Sequence, residues 1–329
     1  MSPLPHESLT DQVLPQHWRK LGLVFAPDQS LEWSRSHASL PTPLHLGGGL
    51  YRVFYSSRDA TNRSHVGYFD VDLHEPTRVV AAAREPVLAP GPMGYFDEHG
   101  IYASSAVKVD GRIYLYTIGW NRGARAPLFY TSIGLAISDD GGTTFTKYSC
   151  APIMARSDHD PCLVSAPTVR FENGQWRMWY ISGYRWEQTN EGALSYYHIK
   201  YAQSEEGIHW HRDGVVAIDH GGHNERNVSR AWVTNDGSYY RAWYGYAADS
   251  GYRLGYGESS DGLAWTRRDD LAGIALSPSG WDSQAMSYPA VVAHDGKWFM
   301  FYNGNGFGKD GIGIAVTDEL PAPADDGTV

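Results

Sequence analysis

The sequence predicts an all-β fold: a five-bladed β-propeller of four-stranded antiparallel blades, its ring closed by the N-terminal strand. Three observations predict it. A glycine-led segment of alternating apolar and aromatic residues recurs as GLYRVFYSSR from Gly49, GRIYLYTIGW from Gly111, GQWRMWYISG from Gly174, GSYYRAWYGY from Gly237 and GKWFMFYNGN from Gly296. These glycines stand 62, 63, 63 and 59 residues apart, a period that suits one propeller blade and is too long for one coil of a solenoid. The composition agrees, with 36 Gly, 12 Trp and only 19% charged residues, as short strands and tight turns require.

Each repeat divides into strands. The innermost ones read ASLPTPL, YASSAVKV, SAPTVRF, SRAWVTN and SYPAVVA, anchored at Pro41, Ser105, Pro167, Ala231 and Pro289. Small residues and proline suit a strand crowded against a central axis. The glycine-led segments are the second strands, with the period-2 alternation of a pleated chain. Third strands follow as SHVGYFDVD, TSIGLAISDD, YHIKYAQSEE, YRLGYGESSD and DGIGIAVTDE. Three of them run into SDDGGTTF, SEEGIHW and SSDGLAW. The first fits the Asp-box pattern S-x-D-x-G-x-T-F, a turn in which the Asp satisfies backbone amides and the aromatic packs between sheets. The last repeat stops after its third strand at Asp318, whereas Leu21 to Phe25 (LGLVF) has no repeat of its own. That segment is expected to supply the outer strand of blade five and so remove the open sheet edges. The result is one domain over 18–320, with loose termini at 1–17 and 321–329.

Charge and composition exclude several function classes. A net charge of −10 and a pI near 5.7 disfavour nucleic acid and anionic membrane as partners, since both need a basic face. The start carries no basic stretch followed by an apolar run, and no segment approaches the length of apolar residues a membrane span needs, so neither a secretory signal nor a span is expected. Cys150 and Cys162 are then expected as reduced thiols and the location as cytoplasmic. Oligomeric state has no signature.

Strand order fixes which ends share a face. If the innermost strand starts at the pocket, the second strand returns to it, and residues flanking those ends converge on one funnel. Before the innermost strands stand His37, Asp97, His99, Asp160, Glu225, Arg230, Asp282 and Tyr288; after the second strands stand Arg58, Asp59, Trp120, Arg122, Trp186, Asn303 and Asn305. Carboxylates and amides bind hydroxyls and indole faces stack on sugar rings, so the set suits a neutral or weakly anionic, hydroxyl-rich ligand. Plainer readings exist: turn acids for Asp97 and Asp282, a surface ion pair for Arg58 and Asp59, left-handed turns for Asn303 and Asn305. No cofactor is expected. The imidazoles of His37, His99, His159 and His223 could ring the axis and hold a divalent metal, but no short ligand spacing supports it.

Several stretches together carry a family resemblance: FYSSRDATNRSHVG, FDEHGIYASS, YTIGWN, IGLAISDDGGTTF, WRMWYISGYRW, WDSQAMSYP and FYNGNGFGKDGIGIA. Over roughly residues 18 to 318 the chain resembles the five-bladed propeller glycosidases of families 32, 43, 62, 68 and 130. It looks most like glycosidase-like propellers associated with bacterial surface-polysaccharide gene clusters. The resemblance implies an Asp in blade one as base or nucleophile, a second Asp in blade two and a Glu at the start of blade three as general acid. Here Leu40-Pro41 stands where Asp-Pro is implied, and Ser165 stands where the Glu is implied. One expectation is therefore a hydrolase-like enzyme whose acids have moved. Asp97 and Glu225 would form the acid/base pair with Asp160 or Asp282 assisting, while Arg58, Arg122 and Arg230 hold the ligand and Trp120 and Trp186 stack. The alternatives are a sugar-binding propeller without catalysis, or a biosynthetic enzyme on the same fold, with a histidine-bound metal as one route.

Overall fold

A computed structural model describes residues 17–125, 128–190, 192–222, 224–248, 251–318 and 320. Except for His17, the termini expected to be loose lie outside these residues. The chain begins with β1 (Arg19–Phe25). It then forms a meander of β2 (Ser36–Gly47), β3 (Leu50–Arg58), β4 (Ser64–Asp72) and β5 (Val79–Ala82), followed by β6 (Gly100–Val109), β7 (Arg112–Arg122), β8 (Phe129–Ser138) and β9 (Thr146–Lys147). The next two units are β10 (Leu163–Glu172), β11 (Gln175–Thr189), β12 (Gly192–Ser204) and β13 (Val216–Ile218), then β14 (Asn227–Asn235), β15 (Tyr240–Ala248), β16 (Gly251–Ser259) and β17 (Thr266–Arg267). Last come β18 (Ser287–His294), β19 (Lys297–Asn303), the short turn α1 (Asn305–Gly308) and β20 (Ile312–Thr317).

Within each unit, neighbouring strands pair antiparallel. Single parallel pairs, Ser64 with Gly100 and Tyr197 with Asn227, join successive units into two eight-stranded sheets. The final sheet has the order β18-β19-β20-β1: the N-terminal strand lies along β20, from Arg19 opposite Val316 to Phe25 opposite Ile312. The architecture is an all-β propeller fold. No helix among the described residues is long and apolar enough to cross a membrane.

Local sequence explains the hairpins. Asp110-Gly111, Asn173-Gly174 and Asp295-Gly296 have positive φ at both residues, as in the two-residue turn whose twist matches that of the strands it joins. The turn after β8 is held by Asp140, which accepts bonds from the Thr143 and Thr144 amides at 3.0 and 2.9 Å and from the Thr144 hydroxyl at 2.6 Å. Asp261 does the same for the Leu263 and Ala264 amides after β16. Between units the second strands bury large rings, including Trp179, Trp243 and Trp298. Each such ring removes about 150–250 Å² from water, so aromatic burial between sheets is a main source of stability.

The innermost strands meet around an axis and bond to one another through side chains. Ser104 donates to the Pro167 carbonyl at 2.8 Å, and the Trp232 indole donates to the Val291 carbonyl at 2.7 Å. Arg230 closes the centre. Its guanidinium is fully buried and donates to the carbonyls of Pro41, Tyr288 and Pro289 at 2.9, 3.0 and 3.0 Å, with longer contacts to Ser104 and Thr42. It thus ties β14 to β2, β6 and β18. All its acceptors are neutral, and burial lowers its pKa to about 9.

Candidate ligand site

At the end of the axis where the innermost strands begin lies a cavity of about 710 Å³. Three kinds of strand end build its wall. The starts of innermost strands contribute Ser39, Leu40, Ser165, Asn227 and Tyr288; the ends of second strands contribute Arg58, Trp120 and Arg122; the starts of third strands contribute Thr131, Ser195, Tyr197 and Tyr252. Tyr102, Ile118, Phe129 and Phe307 add apolar surface, and Asn62 adds an amide.

The innermost strands are bulged where they enter the cavity. Register shifts fall between Ser39 and Thr42, Ser165 and Thr168, and Ser287 and Ala290. Within them Leu40, Ala166 and Tyr288 hold φ of 54°, 41° and 53°, a left-handed conformation that such residues adopt only when their surroundings enforce it. At Leu40 the enforcement is visible. Asn303 is fully buried; it accepts from the Leu40 amide at 2.9 Å and donates to the Ala38 and Gly311 carbonyls at 2.7 and 2.9 Å. Ser39 donates to the Phe307 carbonyl at 2.5 Å.

The two positions where the family resemblance implies catalytic carboxylates, Leu40 and Ser165, therefore open into the cavity. Among the described residues, no carboxylate lines it. Its charged groups are Arg58 and Arg122. Arg58 Nη1 donates to the Asn62 side chain at 3.2 Å, but its buried Nε has no partner, and neither has the buried Thr131 hydroxyl. Trp120 is oriented by a 3.1 Å bond from its indole nitrogen to the Ser64 hydroxyl. That approach depends on Gly100, because a Cβ there would lie 2.0 Å from Ser64 Oγ and 2.1 Å from the indole nitrogen. Tyr197 and Tyr252 share a short hydroxyl–hydroxyl hydrogen bond. Burial raises the Tyr197 pKa to about 12, so it stays a neutral phenol.

The four acids expected as catalytic do not line the cavity, and they share a different arrangement. Each is paired with a base on or beside the outer strand of its own unit. Asp97 meets Lys147 of β9 at 2.5 Å, Glu225 meets Arg267 of β17 at 2.9 Å, and Asp282 meets Lys20 of β1 at 2.6 Å. Asp160 meets Arg212 at 2.9 Å, with Lys200 at 3.7 Å. Tyrosines of the second strands add bonds, Tyr180 to Asp160 at 3.2 Å and Tyr302 to Asp282 at 3.0 Å. For Asp282, burial alone would raise the pKa, but bonds from Lys20 and Ser277 bring it below the usual carboxylate range. Recurring from unit to unit, the pairing acts as a latch between a loop and an outer strand.

Of the other expected residues, Arg58, Trp120, Arg122 and Tyr288 do line the cavity. Arg230 lies on the axis with its Nη2 donating to the Pro41, Tyr288 and Pro289 carbonyls, and Asn303 supports the Leu40 bulge. Asn305 accepts from the Gln284 and Ala285 amides at 2.8 and 3.1 Å, fixing the loop before β18. Asp59 caps its own turn through the Thr61 and Arg63 amides. His99 packs tilted against Trp120 at 5.8 Å, and Trp186 meets Phe129 edge-on at 5.2 Å without lining the cavity. His37 does not line it either; burial first, then the charges of Arg58 and Lys309, lower its pKa to about 4. His37, His99 and His159 form no metal-ligating cluster among the described residues, and His223 lies outside them.

Comparison with known proteins supports the propeller fold. The family described as glycosyl hydrolases family 32 N-terminal domain matches residues 49–228. An uncharacterised protein of Mycobacterium tuberculosis (strain CDC 1551 / Oshkosh) is 40% identical over 302 residues, which is 92% of this chain and 99% of that protein. Among solved structures, a glycosyl hydrolase from Bacteroides ovatus superposes with a TM-score of 0.67 at 18% identity, covering 97% of this chain and 98% of that one. A structure described under the words that the GH130 family of mannoside phosphorylases contains glycoside hydrolases that target β-1,2 mannosidic linkages in Candida mannan gives 0.66 at 17% identity, covering 97% and 98%. A thermostable family-43 glycoside hydrolase gives 0.64 at 14% identity, covering 86% and 88%. These structures share the propeller fold. The chain is a glycosidase-like, carbohydrate-active protein, and it belongs to the family of the glycosyl hydrolases family 32 N-terminal domain.

Proposed function

We propose that the 710 Å³ cavity binds a sugar or sugar-derived ligand that carries an anionic group, and that it does so without the paired carboxylates of glycoside hydrolysis. One observation carries this reading: Leu40 and Ser165 occupy the cavity wall where the resemblance implies acids, while its charged groups are Arg58 and Arg122. Hydrolysis of a glycosidic bond needs one protonated and one ionised carboxyl flanking it. Asp97 and Glu225 are each committed to a basic partner away from the cavity. What remains fits recognition: Tyr197, Tyr252, Ser195, Thr131 and Asn227 offer hydroxyls and an amide to ligand hydroxyls, Trp120 offers a ring face, and two guanidiniums offer charge. In the same reading the four-stranded meanders are five blades, and β1 closes their ring.

Calorimetric titration with hexose phosphates, hexuronic acids and the corresponding neutral sugars tests the proposal. The anionic ligands are expected to bind at least about tenfold more tightly, a preference lost in Arg58→Met and reduced by salt. Turnover of aryl glycosides that disappears in Asp97→Asn and Glu225→Gln would overturn it and restore the hydrolase reading.

A further inference from the structure

At the opposite end of the innermost strands, a second group of side chains converges where the first and last units meet. His74 follows β4, His294 ends β18, and Asp295 begins the turn to β19. His74 Nε2 lies 3.3 Å from His294 Nε2 and 3.4 Å from Asp295 Oδ2, and His294 Nε2 lies 3.4 Å from the same carboxylate oxygen. The three atoms form a nearly equilateral triangle. A tetrahedral ion about 2.05 Å from its ligands sets them about 3.3–3.4 Å apart, whereas adjacent ligands of an octahedral ion at that distance stand about 2.9 Å apart.

The surroundings fit the same geometry. His74 Nδ1 contacts Asp72 Oδ1 at 2.6 Å, the carboxylate–imidazole arrangement that fixes which ring nitrogen carries the proton and turns the other outward as a lone pair. With Nδ1 donating to Asp72, a neutral His74 presents its Nε2 as an acceptor, and it faces the acceptor oxygen of Asp295. Two acceptors at 3.4 Å repel unless a cation or proton lies between them. Gly49 makes room for the pair, since a Cβ there would fall 2.3 Å from Asp72 Oδ1 and 2.4 Å from His74 Nδ1. Tyr51 of β3 ties the first unit to β18 by donating to the Ala293 carbonyl at 2.9 Å. His74 and Asp295 are open to solvent, which leaves a fourth position for water.

We propose that His74 Nε2, His294 Nε2 and Asp295 Oδ2 form a tetrahedral site for zinc or a similar divalent transition metal, with Asp72 orienting His74. The ion bridges the first and last units of the chain and acts there as a clasp. The test uses the full chain stripped of metal by chelator, with zinc and cobalt chlorides as probes. Wild type is expected to bind one equivalent of zinc, to gain the intense visible bands of tetrahedral cobalt, and to melt about 3–6 °C higher at a hundredfold excess over Kd. His74→Ala and His294→Ala should each weaken zinc binding at least about 100-fold, and Asp72→Ala about tenfold. Magnesium, which prefers octahedral oxygen ligands, should not compete. Metal-free His74→Ala should melt with metal-free wild type, since the His74 side chain is 57% exposed. A wild type without a stoichiometric zinc site, weak octahedral cobalt bands, or unchanged affinity in the double variant His74→Ala/His294→Ala would each overturn the proposal.

Discussion

Replacing Asp160 with Asn separates a structural latch from a catalytic acid. Asp160 is fully buried and accepts bonds from Ser182 at 2.6 Å, Ser157 at 3.0 Å, Tyr180 at 3.2 Å and Arg212 at 2.9 Å. The amide keeps the shape and one acceptor but removes the charge that answers Arg212 and, at 3.7 Å, Lys200. Breaking a buried pair from one side costs about 3–5 kcal/mol. Arg212 keeps its 2.8 Å bond to the Ala155 carbonyl and is 18% exposed, so solvent recovers part of the loss and the low end, about 3 kcal/mol, applies. For a chain of this length that is roughly 5–10 °C in Tm, readable by circular dichroism. Removing both charges in Asp160→Asn/Arg212→Met should recover part of the loss. Ligand affinity measured well below the transition should be unchanged. An unaltered Tm, or a lost affinity or activity at unaltered Tm, would refute the latch.

Three further outcomes follow from named contacts. His37 has a folded pKa of about 4 against 6.5 when unfolded, chiefly through burial. The unfolded chain therefore binds the proton first: this stabilisation is full above about pH 6.5 and is lost as pH falls towards 4, by about 1–2 kcal/mol after discounting for partial exposure. His37→Asn, which suits the positive φ of 66°, should flatten the urea midpoint over that window; an equally steep profile would contradict the assignment. Arg230→Met leaves the Pro41, Tyr288 and Pro289 carbonyls without a donor. Each bond to a charged donor contributes about 1.5–3 kcal/mol, offset in part by removing a buried charge, so a lower Tm is expected and an unchanged one would deny Arg230 its role at the axis. Trp120→Ala should weaken ligand binding about tenfold, near 1.4 kcal/mol, without changing Tm by more than a few degrees; equal affinity would remove Trp120 from the site.

The repeat pattern and the glycine turns were legible in the sequence because both are local. Asp110-Gly111 and Asn173-Gly174 announce two-residue hairpins without any tertiary information, and the leftover LGLVF segment does lie along β20. The cavity was legible only in part. The starts of the first strands and the ends of the second supply Arg58, Trp120, Arg122 and Tyr288. Third strands begin at the same end, and the same geometry extended to them reaches Thr131, Ser195, Tyr197 and Tyr252. The acids misled for a different reason. Their bases lie 42 to 262 positions away, and a carboxylate neutralised by so distant a partner looks in sequence like one free to react. The convergence of His74 with His294 is hidden in the same way, because 220 positions separate them.

The most direct test of the carboxylate-free site is a crystal structure with a hexose phosphate or hexuronic acid bound. The anionic group is expected within hydrogen-bond distance of Arg58, the sugar face against Trp120, and Leu40 and Ser165 in contact with the ring. A ligand whose anomeric carbon lies between two carboxylates, or one that binds outside this cavity, would contradict it.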